Sequence, residues 1–453
     1  MSNSRIRDFT SGNITKQLVT FAWPLFLSNL LQVVYNMVDM IVVGQVLGKV
    51  GTSAVAVGGD VTNFLTFVAM GFSSAGQVLI AKYIGGGERE KLGRFVGTMT
   101  GFLMLCAIVI SAVSLTFQTG ILQLMNTPPE SYQGAVDYST ICMAGLVFIY
   151  GYNIVSAILR GMGDSKHPLI FIGIAAALNV ILDIVFVMVL DIGAGGAALA
   201  TVISQAVSFI TCSAFLLKHR EAFSLRIVWR DFIKWERSML ASLVKLGVPM
   251  AVKSAAVMIS KLFVNSWINS YGVEVSAFAG IANKISSTAN LVSNAMNTAG
   301  STMVGQNIAA RKHERVKKII LRLAAITLSL AAIFSVVILL FPEMVFGLFT
   351  QDEAVLAIVP GYLYIAVLLF FGAALRSCMN GLINGSGHTR VNVVTAVMDG
   401  FVMRIGMALL FGLALDMRHY GFWLGDAIAG FTPFWIGVIF YFSGKWKREP
   451  EKK

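Results

Sequence analysis

One hydrophobic segment decides the fold class: residues 168–190 read PLIFIGIAAALNVILDIVFVMVL. A helix that crosses the hydrocarbon core of a bilayer needs about 20 mainly apolar residues. This segment reaches that length with one ionisable side chain, Asp183. A charged group inside lipid is costly unless it faces the protein interior, a partner or water. The segment therefore predicts a membrane-spanning helix, and Asp183 is a candidate functional residue.

The rest of the chain repeats this pattern. Of its 453 residues, 56% are hydrophobic and only 13% are charged, with a mean hydropathy of +0.75. Soluble domains carry roughly 25% charged residues, so the composition excludes a soluble enzyme. Because a helix satisfies its own backbone in lipid, we predict an all-α integral membrane protein with twelve transmembrane helices. Their expected positions are residues 16–46, 53–82, 92–118, 133–160, 168–190, 193–218, 241–270, 275–308, 316–341, 356–384, 389–415 and 420–444.

The basic residues predict the orientation of the chain. Most of the 35 lysines and arginines lie at the two termini or in loops after even-numbered spans, and only Lys49 and Arg418 lie in loops after odd-numbered spans. Positive loops face the cytoplasm, so both termini are expected on the cytoplasmic side of the inner cell membrane. The net charge of +12 is therefore attributed to topology, and no nucleic-acid partner is expected.

The two halves of the chain are similar in sequence. Shifting the second half back by about 225 residues aligns an ordered set of motifs, and a polar segment separates the halves. Six helices per half make the repeats parallel, which predicts two bundles with a central cleft. The matched motifs include Pro24 with Pro249, SerAlaVal from Ser53 with SerAlaPhe from Ser276, Glu90 with Glu314, and GlyMetGlyAspSerLys from Gly161 with GlySerGlyHisThrArg from Gly385. The predicted divisions are a cytoplasmic N-terminus at 1–15, an N-lobe at 16–218, a cytoplasmic linker at 219–240, a C-lobe at 241–444 and a cytoplasmic C-terminus at 445–453.

Two carboxyl groups in the first half stand at a similar depth in the outer half of the membrane. They belong to Asp39 in the first span and Asp183 in the fifth, and Thr201 of the sixth span lies at the same depth. Tyr35 and Asn179 precede the two acids by one helical turn and share their faces. Two close carboxylates in a low dielectric cannot both stay ionised cheaply, so this set predicts a proton or sodium site. Separate hydrogen-bonded carboxyls that hold helices together are the open alternative.

The second half has no equivalent pair of carboxylates. Its buried charges instead predict two structural ion pairs, Arg404 with Asp426 and Arg376 with Asp399.

Three lysines and one further acid complete the candidate charges. Lys261 and Lys284 are expected to pair with Asp60 across the cleft, although Lys261 could alternatively extend outward to the interface. Lys253 is a third candidate for the cleft. Pro24 lies inside the first span, where it removes a backbone hydrogen bond, so this helix can bend or be statically kinked.

Over nearly its whole length the chain resembles the multidrug and toxin extrusion (MATE) family. The matching motifs are AlaTrpPro at 22–24, TyrAsnMetValAsp at 35–39, GlyMetGlyAsp at 161–164, LeuAsnValIleLeuAsp at 178–183 and GlyGlnAsn at 305–307. The resemblance implies a V-shaped two-lobe antiporter that exports organic compounds, often cationic, against an inward flow of protons or sodium ions.

Within the family the chain is similar to the DinF-like branch. The resemblance implies that Asp39, Asn179, Asp183 and Thr201 form the cation site. We expect Tyr35, Asn36 and Pro24 to be supporting or cleft residues. The NorM-like branch has a C-lobe site with acids on helices seven and ten. This chain has Val257, Lys253 and Arg376 there, which argues against a C-lobe cation site.

The sequence therefore predicts a secondary active exporter of small molecules in the lipid bilayer. We expect a monomer with no cofactor other than the coupling ion, and no metal ion other than Na⁺ at Asp39 and Asp183. Given these lysines, the sequence does not decide whether the substrates are cationic, zwitterionic or anionic. The lysines also leave open a flippase for lipid-linked precursors, which would need cationic residues for pyrophosphate. An enzyme is not expected, since the five histidines are scattered over loops.

Overall fold

The computed structural model describes residues 5–125 and 127–448. The predicted cytoplasmic termini therefore lie partly outside the described residues. Helices dominate the described ranges, which contain no β-strand. The chain is thus all-α, as its composition and hydropathy predict.

Seven α-helices form the first half of the chain. The sixth, which carries Asn179 and Asp183, continues as a π-helix over Ile184–Val189. A short 3₁₀-helix, Arg89–Lys91, follows the first helix. The helices are α1 Ile14–Gly85, α2 Leu92–Thr116, α3 Gln118–Leu124, α4 Pro129–Ala144, α5 Leu146–Gly161, α6 Lys166–Asp183 and α7 Ala194–Lys218.

Ten α-helices follow in the second half, after the 3₁₀-helix Trp229–Phe232. Two π-helices, Met398–Met403 and Leu410–Ala414, flank α15, and the 3₁₀-helix Lys445–Lys447 ends the described chain. The helices are α8 Arg237–Asn269, α9 Val273–Ala309, α10 His313–Leu340, α11 Pro342–Gly347, α12 Glu353–Leu356, α13 Val359–Ser386, α14 Thr389–Val397, α15 Arg404–Leu409, α16 Arg418–Ala429 and α17 Thr432–Phe442.

The number of membrane spans agrees with the twelve predicted ones. Nine helical segments of the described chain are long and apolar enough to cross a membrane, and α4 with α5, bent by 48°, make a tenth. Helix α1 has 72 residues and is broken at Gly48, where φ is 61° and ψ is −155°, so it supplies two spans. Glycine adopts this conformation without a steric penalty. Helix α9, with 37 residues, is the twelfth span, although its composition is more polar.

The chain divides into two compact units. The first contains Trp23–Val248 and the described residues before Phe9, and the second contains Phe9–Ala22 and the chain from Pro249 onwards. We call them the N-half and the C-half. The chain passes from one unit to the other beside Pro24 and Pro249, the first matched pair of the internal repeat.

The polar segment between the predicted lobes packs within the N-half. Three glycines one turn apart on α2, Gly93, Gly97 and Gly101, allow the backbone of this segment to approach. A Cβ atom at Gly101 would stand 2.0 Å from the carbonyl oxygen of Phe232. Arg94 on the same helix forms an ion pair with Glu236 at 3.0 Å. The segment is therefore a packed element of the N-half.

Buried aromatic rings form much of the C-half core. Phe278 of α9 packs against Phe346, Tyr362 and Trp423, with ring centroids 5.2–5.7 Å apart. The N-half core is built from smaller side chains, among them Val43 and Ala54 of α1 and Cys142 of α4. The N-half core thus brings the part of α1 around Val43 and Ala54 against α4 and α7, close in sequence to Asp39 and Thr201.

Candidate functional site

The first candidate site lies in the N-half, and its four predicted members are Asp39, Asn179, Asp183 and Thr201. We call this set the N-half acidic cluster. The exposed fractions are 7% for Asp39, 2% for Asn179 and 0% for Asp183. Asn179 and Asp183 follow each other by one turn at the end of α6, so both project from one helix face. Asp39, Asn179 and Asp183 are therefore buried inside the N-half, whereas Thr201 is partly buried.

The two carboxylates of the cluster lie within electrostatic range of each other. Asp39 also interacts electrostatically with Tyr35, one turn before it on α1, and with Tyr138 of α4. Tyr138 in turn contacts Thr201 of α7. Four helices, α1, α4, α6 and α7, thus contribute to one polar site.

Several polar atoms of this site have no hydrogen-bond partner within the described residues. Both carboxylate oxygens of Asp183, one carboxylate oxygen of Asp39 and both amide atoms of Asn179 are buried without a hydrogen bond. No lysine or arginine forms an ion pair with either acid in the described ranges. Buried polar groups normally have partners, and an uncompensated carboxylate is costly. These atoms suit a proton or a small cation, which would neutralise the acids and satisfy the free acceptors.

Sequence reasoning missed two neighbours of the cluster, Tyr138 and Cys142. Both lie on the same face of α4 and interact electrostatically with Asp39. They are uncharged, so the search for ionisable groups within apolar spans could not find them. Their spacing of four residues on a half-apolar helix was the available signal.

Several predicted supporting residues are not part of the cluster. Asn36 is exposed, and so are Asp60 and Lys284. The pairing of Asp60 with lysines stays a prediction. Pro24 is partly buried, and its carbonyl accepts a hydrogen bond of 2.8 Å from the hydroxyl of Ser28.

The second candidate site lies in the C-half. It consists of Lys253, Lys261, Arg376, Arg404, Asp399 and Asp426, which we call the C-half charged cluster. Arg404 is 1% exposed and forms ion pairs with both acids, at 2.9 Å for Asp399. The predicted pair of Arg404 with Asp426 is thus present.

The predicted pair of Arg376 with Asp399 is wrong. Arg376 donates to the Oδ1 atom of Asn290 at 2.6 Å, while Asp399 binds Arg404. The reason is the π-helix Met398–Met403, whose wider turn aligns residues five positions apart and so places Asp399 beside Arg404. Depth matching on an ideal α-helix could not show this.

Lys253 and Lys261 of the C-half charged cluster make different contacts from Arg404. Lys253 donates to the Oδ1 atom of Asn380 at 2.7 Å. Lys261 has no hydrogen bond and lies within electrostatic range of Asp426 and Arg404. Lys261 is partly buried and lines an internal cavity, so it does not extend outward.

The sequence matches the model of the MatE family twice, at residues 24–185 and at residues 249–410. The chain belongs to the MATE family. The two matches begin 225 residues apart, which is the spacing of the internal repeat. MATE proteins are transporters, and this member is a multi-pass membrane protein.

Relatives of this MATE protein align along almost the whole chain. It is 28% identical over 441 residues to the probable multidrug resistance protein YpnP of Bacillus subtilis, and the alignment covers 97% of each protein. It is 25% identical over 444 residues to the probable multidrug resistance protein NorM of Thermotoga maritima, with 96% of this chain and 94% of the relative covered.

Solved structures share the fold of this MATE protein. A transporter of the MOP superfamily from Pyrococcus furiosus, described as having a binding pocket of reverse polarity, matches with a TM-score of 0.89 at 22% identity. The match covers 98% of this chain and 99% of that one. An outward-facing multidrug resistance MATE transporter matches with a TM-score of 0.88 at 22% identity, covering 97% and 98%. These likenesses show the fold alone.

Proposed function

We propose that this MATE protein is a secondary active antiporter that exports small organic compounds across the inner cell membrane. Its coupling ion, a proton or a sodium ion, binds at the N-half acidic cluster. The observation that carries the proposal is the set of buried acceptor atoms on Asp39, Asn179 and Asp183 that have no protein partner. The multidrug resistance descriptions of the relatives support the export of drugs.

Ion binding at this cluster would be coupled to substrate release. An ion that enters from outside neutralises Asp39 and Asp183 and removes the cost of two unpaired carboxylates. Helix α1 can then bend near Pro24, because a proline inside a helix leaves the carbonyl one turn earlier without its helical partner. The coupling is a free energy between two ligands, so cytoplasmic substrate must favour release of the ion by the same amount.

The excess of basic residues near the N-terminus and in loops after even-numbered spans supports cytoplasmic termini. The residues at Asp39, Asn179, Asp183 and Thr201 support membership of the DinF-like branch of the MATE family.

A flippase for lipid-linked precursors is the second candidate. The observation that favours it is the group of basic side chains in the C-half, which would suit a pyrophosphate group. Rescue of cells that are defective in translocating a lipid-linked precursor would favour this candidate over drug export.

The test of export measures dye and drug accumulation in cells that lack their own efflux pumps. We expect wild type to lower accumulation and Asp39→Asn and Asp183→Asn to lose this effect at equal membrane expression. Asp191→Asn is the matched control, because Asp191 is exposed and its φ of 49° suits asparagine. Export by both cluster variants at the wild-type level would refute the coupling site.

A further inference from the structure

The C-half charged cluster contains more positive than negative charge. Four basic side chains, Lys253, Lys261, Arg376 and Arg404, are opposed by two carboxylates, of which Asp399 is buried and Asp426 is partly buried. Both carboxylates are bound by Arg404. Two positive charges therefore remain in excess inside the unit. Buried charges are normally paired, so this excess needs a compensating anion.

Three of these basic side chains, those of Lys261, Arg376 and Arg404, line one cavity. The cavity is lined by Lys261, Asn290, Arg376, Arg404 and Asp426, and its 280 Å³ of non-atom space includes a part that is open to solvent. Among the described residues the ammonium group of Lys261 has no hydrogen-bond partner, and the guanidinium of Arg376 donates to Asn290 and to no other residue. The Nε atom of Arg404 is buried without a partner, although this side chain is 1% exposed. Basic side chains from α8, α13 and α15 thus line the same cavity.

We propose that this cavity binds the negatively charged group of a transported compound, a carboxylate or a phosphoryl group. The inference rests on the proposed export function and names its substrate class: anionic or zwitterionic compounds. Arginine donates several N–H groups in a plane and suits carboxylate and phosphoryl oxygens, and lysine adds a point charge. The cavity is small enough that only the anionic group enters it, while the rest of the substrate stays outside.

The acids of the cluster set the strength of this site. Because Asp399 and Asp426 both bind Arg404, they hold its guanidinium in place and reduce its charge. Arg376 and Lys261 form no direct ion pair with a carboxylate of the described residues, so they supply the attraction. This division of roles makes Arg376 and Lys261 the side chains whose removal affects anions most.

The test compares three probes that share an aromatic ring: benzoate, phenyl phosphate and benzyltrimethylammonium. Binding is measured by calorimetry on the full chain in detergent. We expect one or both anions to bind more tightly than the cation, and Arg376→Gln and Lys261→Gln each to weaken anion binding by about tenfold or more. Arg322→Gln and Lys318→Gln are the matched controls, because both residues are exposed on α10 of the same unit.

Two further measurements show whether a loss of binding comes from misfolding and whether the anionic group belongs to a lipid. Arg376→Lys keeps the charge and should retain most anion binding, and it replaces Arg376→Gln if that variant fails to fold. Farnesyl pyrophosphate represents a lipid-linked source. If farnesyl pyrophosphate is the one anion that binds, and its binding depends on Arg376, the cavity is an anion site whose substrate is a lipid.

Preference for the cation, or unchanged anion binding in Arg376→Gln and Lys261→Gln, would overturn the proposal. Cellular export is scored separately. Drug export without anion binding rejects only this site, and anion binding without drug export rejects the export function.

Discussion

The N-half and the C-half hold their buried charges in opposite ways. In the N-half, the carboxylates of Asp39 and Asp183 have no basic partner within the described chain. In the C-half, the buried carboxylate of Asp399 and the partly buried carboxylate of Asp426 are both bound by Arg404. An unpaired acid can exchange a proton or a cation at low cost, whereas a paired acid cannot. This contrast supports our proposals of ion coupling in the first half and of anion recognition beside structural ion pairs in the second.

The strongest effect is expected at Asp183. Asp183→Asn removes the fully buried carboxylate without removing a protein contact, so ion-driven export should be abolished. Thermal unfolding should remain close to wild type, since no ion pair is broken. A large loss of stability in this variant would show that the acid is structural and would remove the contrast between the halves.

A different result is expected for the equivalent change in the C-half. Asp399→Asn leaves Arg404 with one acid and should lower the free energy of unfolding by about 3–5 kcal/mol, the usual cost of breaking a buried pair. Thermal unfolding in detergent measures this loss. Asp416→Asn is the control, because Asp416 is exposed and its φ is 50°. A stable Asp399→Asn protein that no longer exports would reverse the assignment.

A smaller loss of stability is expected when the packing of α2 is disturbed. Gly101→Ala places a Cβ atom against the backbone of Phe232 and should cost about 1–3 kcal/mol. The corresponding face of α10 in the C-half is open, as Leu321 is 67% exposed. Gly120→Ala meets no atom within 4 Å and should be neutral. Equal stability of the two variants would show that the polar segment does not pack on α2.

The smallest effect is expected at Tyr138. Tyr138→Phe removes a hydroxyl beside the acids, and one hydrogen bond contributes about 0.5–1.5 kcal/mol. The ion concentration for half-maximal export should therefore shift by about two- to tenfold, with the maximal rate retained. Tyr364→Phe, at a 73% exposed position, should cause no shift. An unchanged ion dependence in Tyr138→Phe would place this residue outside the site.

Much of the fold could be predicted because lipid imposes simple rules. Span length and hydropathy indicate twelve helices, and the break at Gly48 lies between two predicted spans. The sequence could not predict that Phe9–Ala22 belongs to the C-half, because this depends on contacts between residues that are far apart in the sequence. Phe9, for example, donates its backbone N–H to the side chain of Gln306.

The acidic cluster was also accessible from sequence, because a carboxylate within an apolar span is conspicuous. Its neighbour Tyr138 was not, since a tyrosine in a membrane helix has many ordinary roles. The partner of Asp399 was missed for a geometric reason. A π-helix changes which residues share a face, and hydropathy carries no signal for it.

The most direct test of the central claim measures dye transport driven by an ion gradient in proteoliposomes that contain the purified protein. An inward proton or sodium gradient is imposed, and transport of fluorescein, an anionic dye, and ethidium, a cationic dye, is followed. The account predicts gradient-driven dye transport by wild type and none by the double variant Asp39→Asn with Asp183→Asn. Gradient-driven transport by the double variant at the wild-type rate would contradict it.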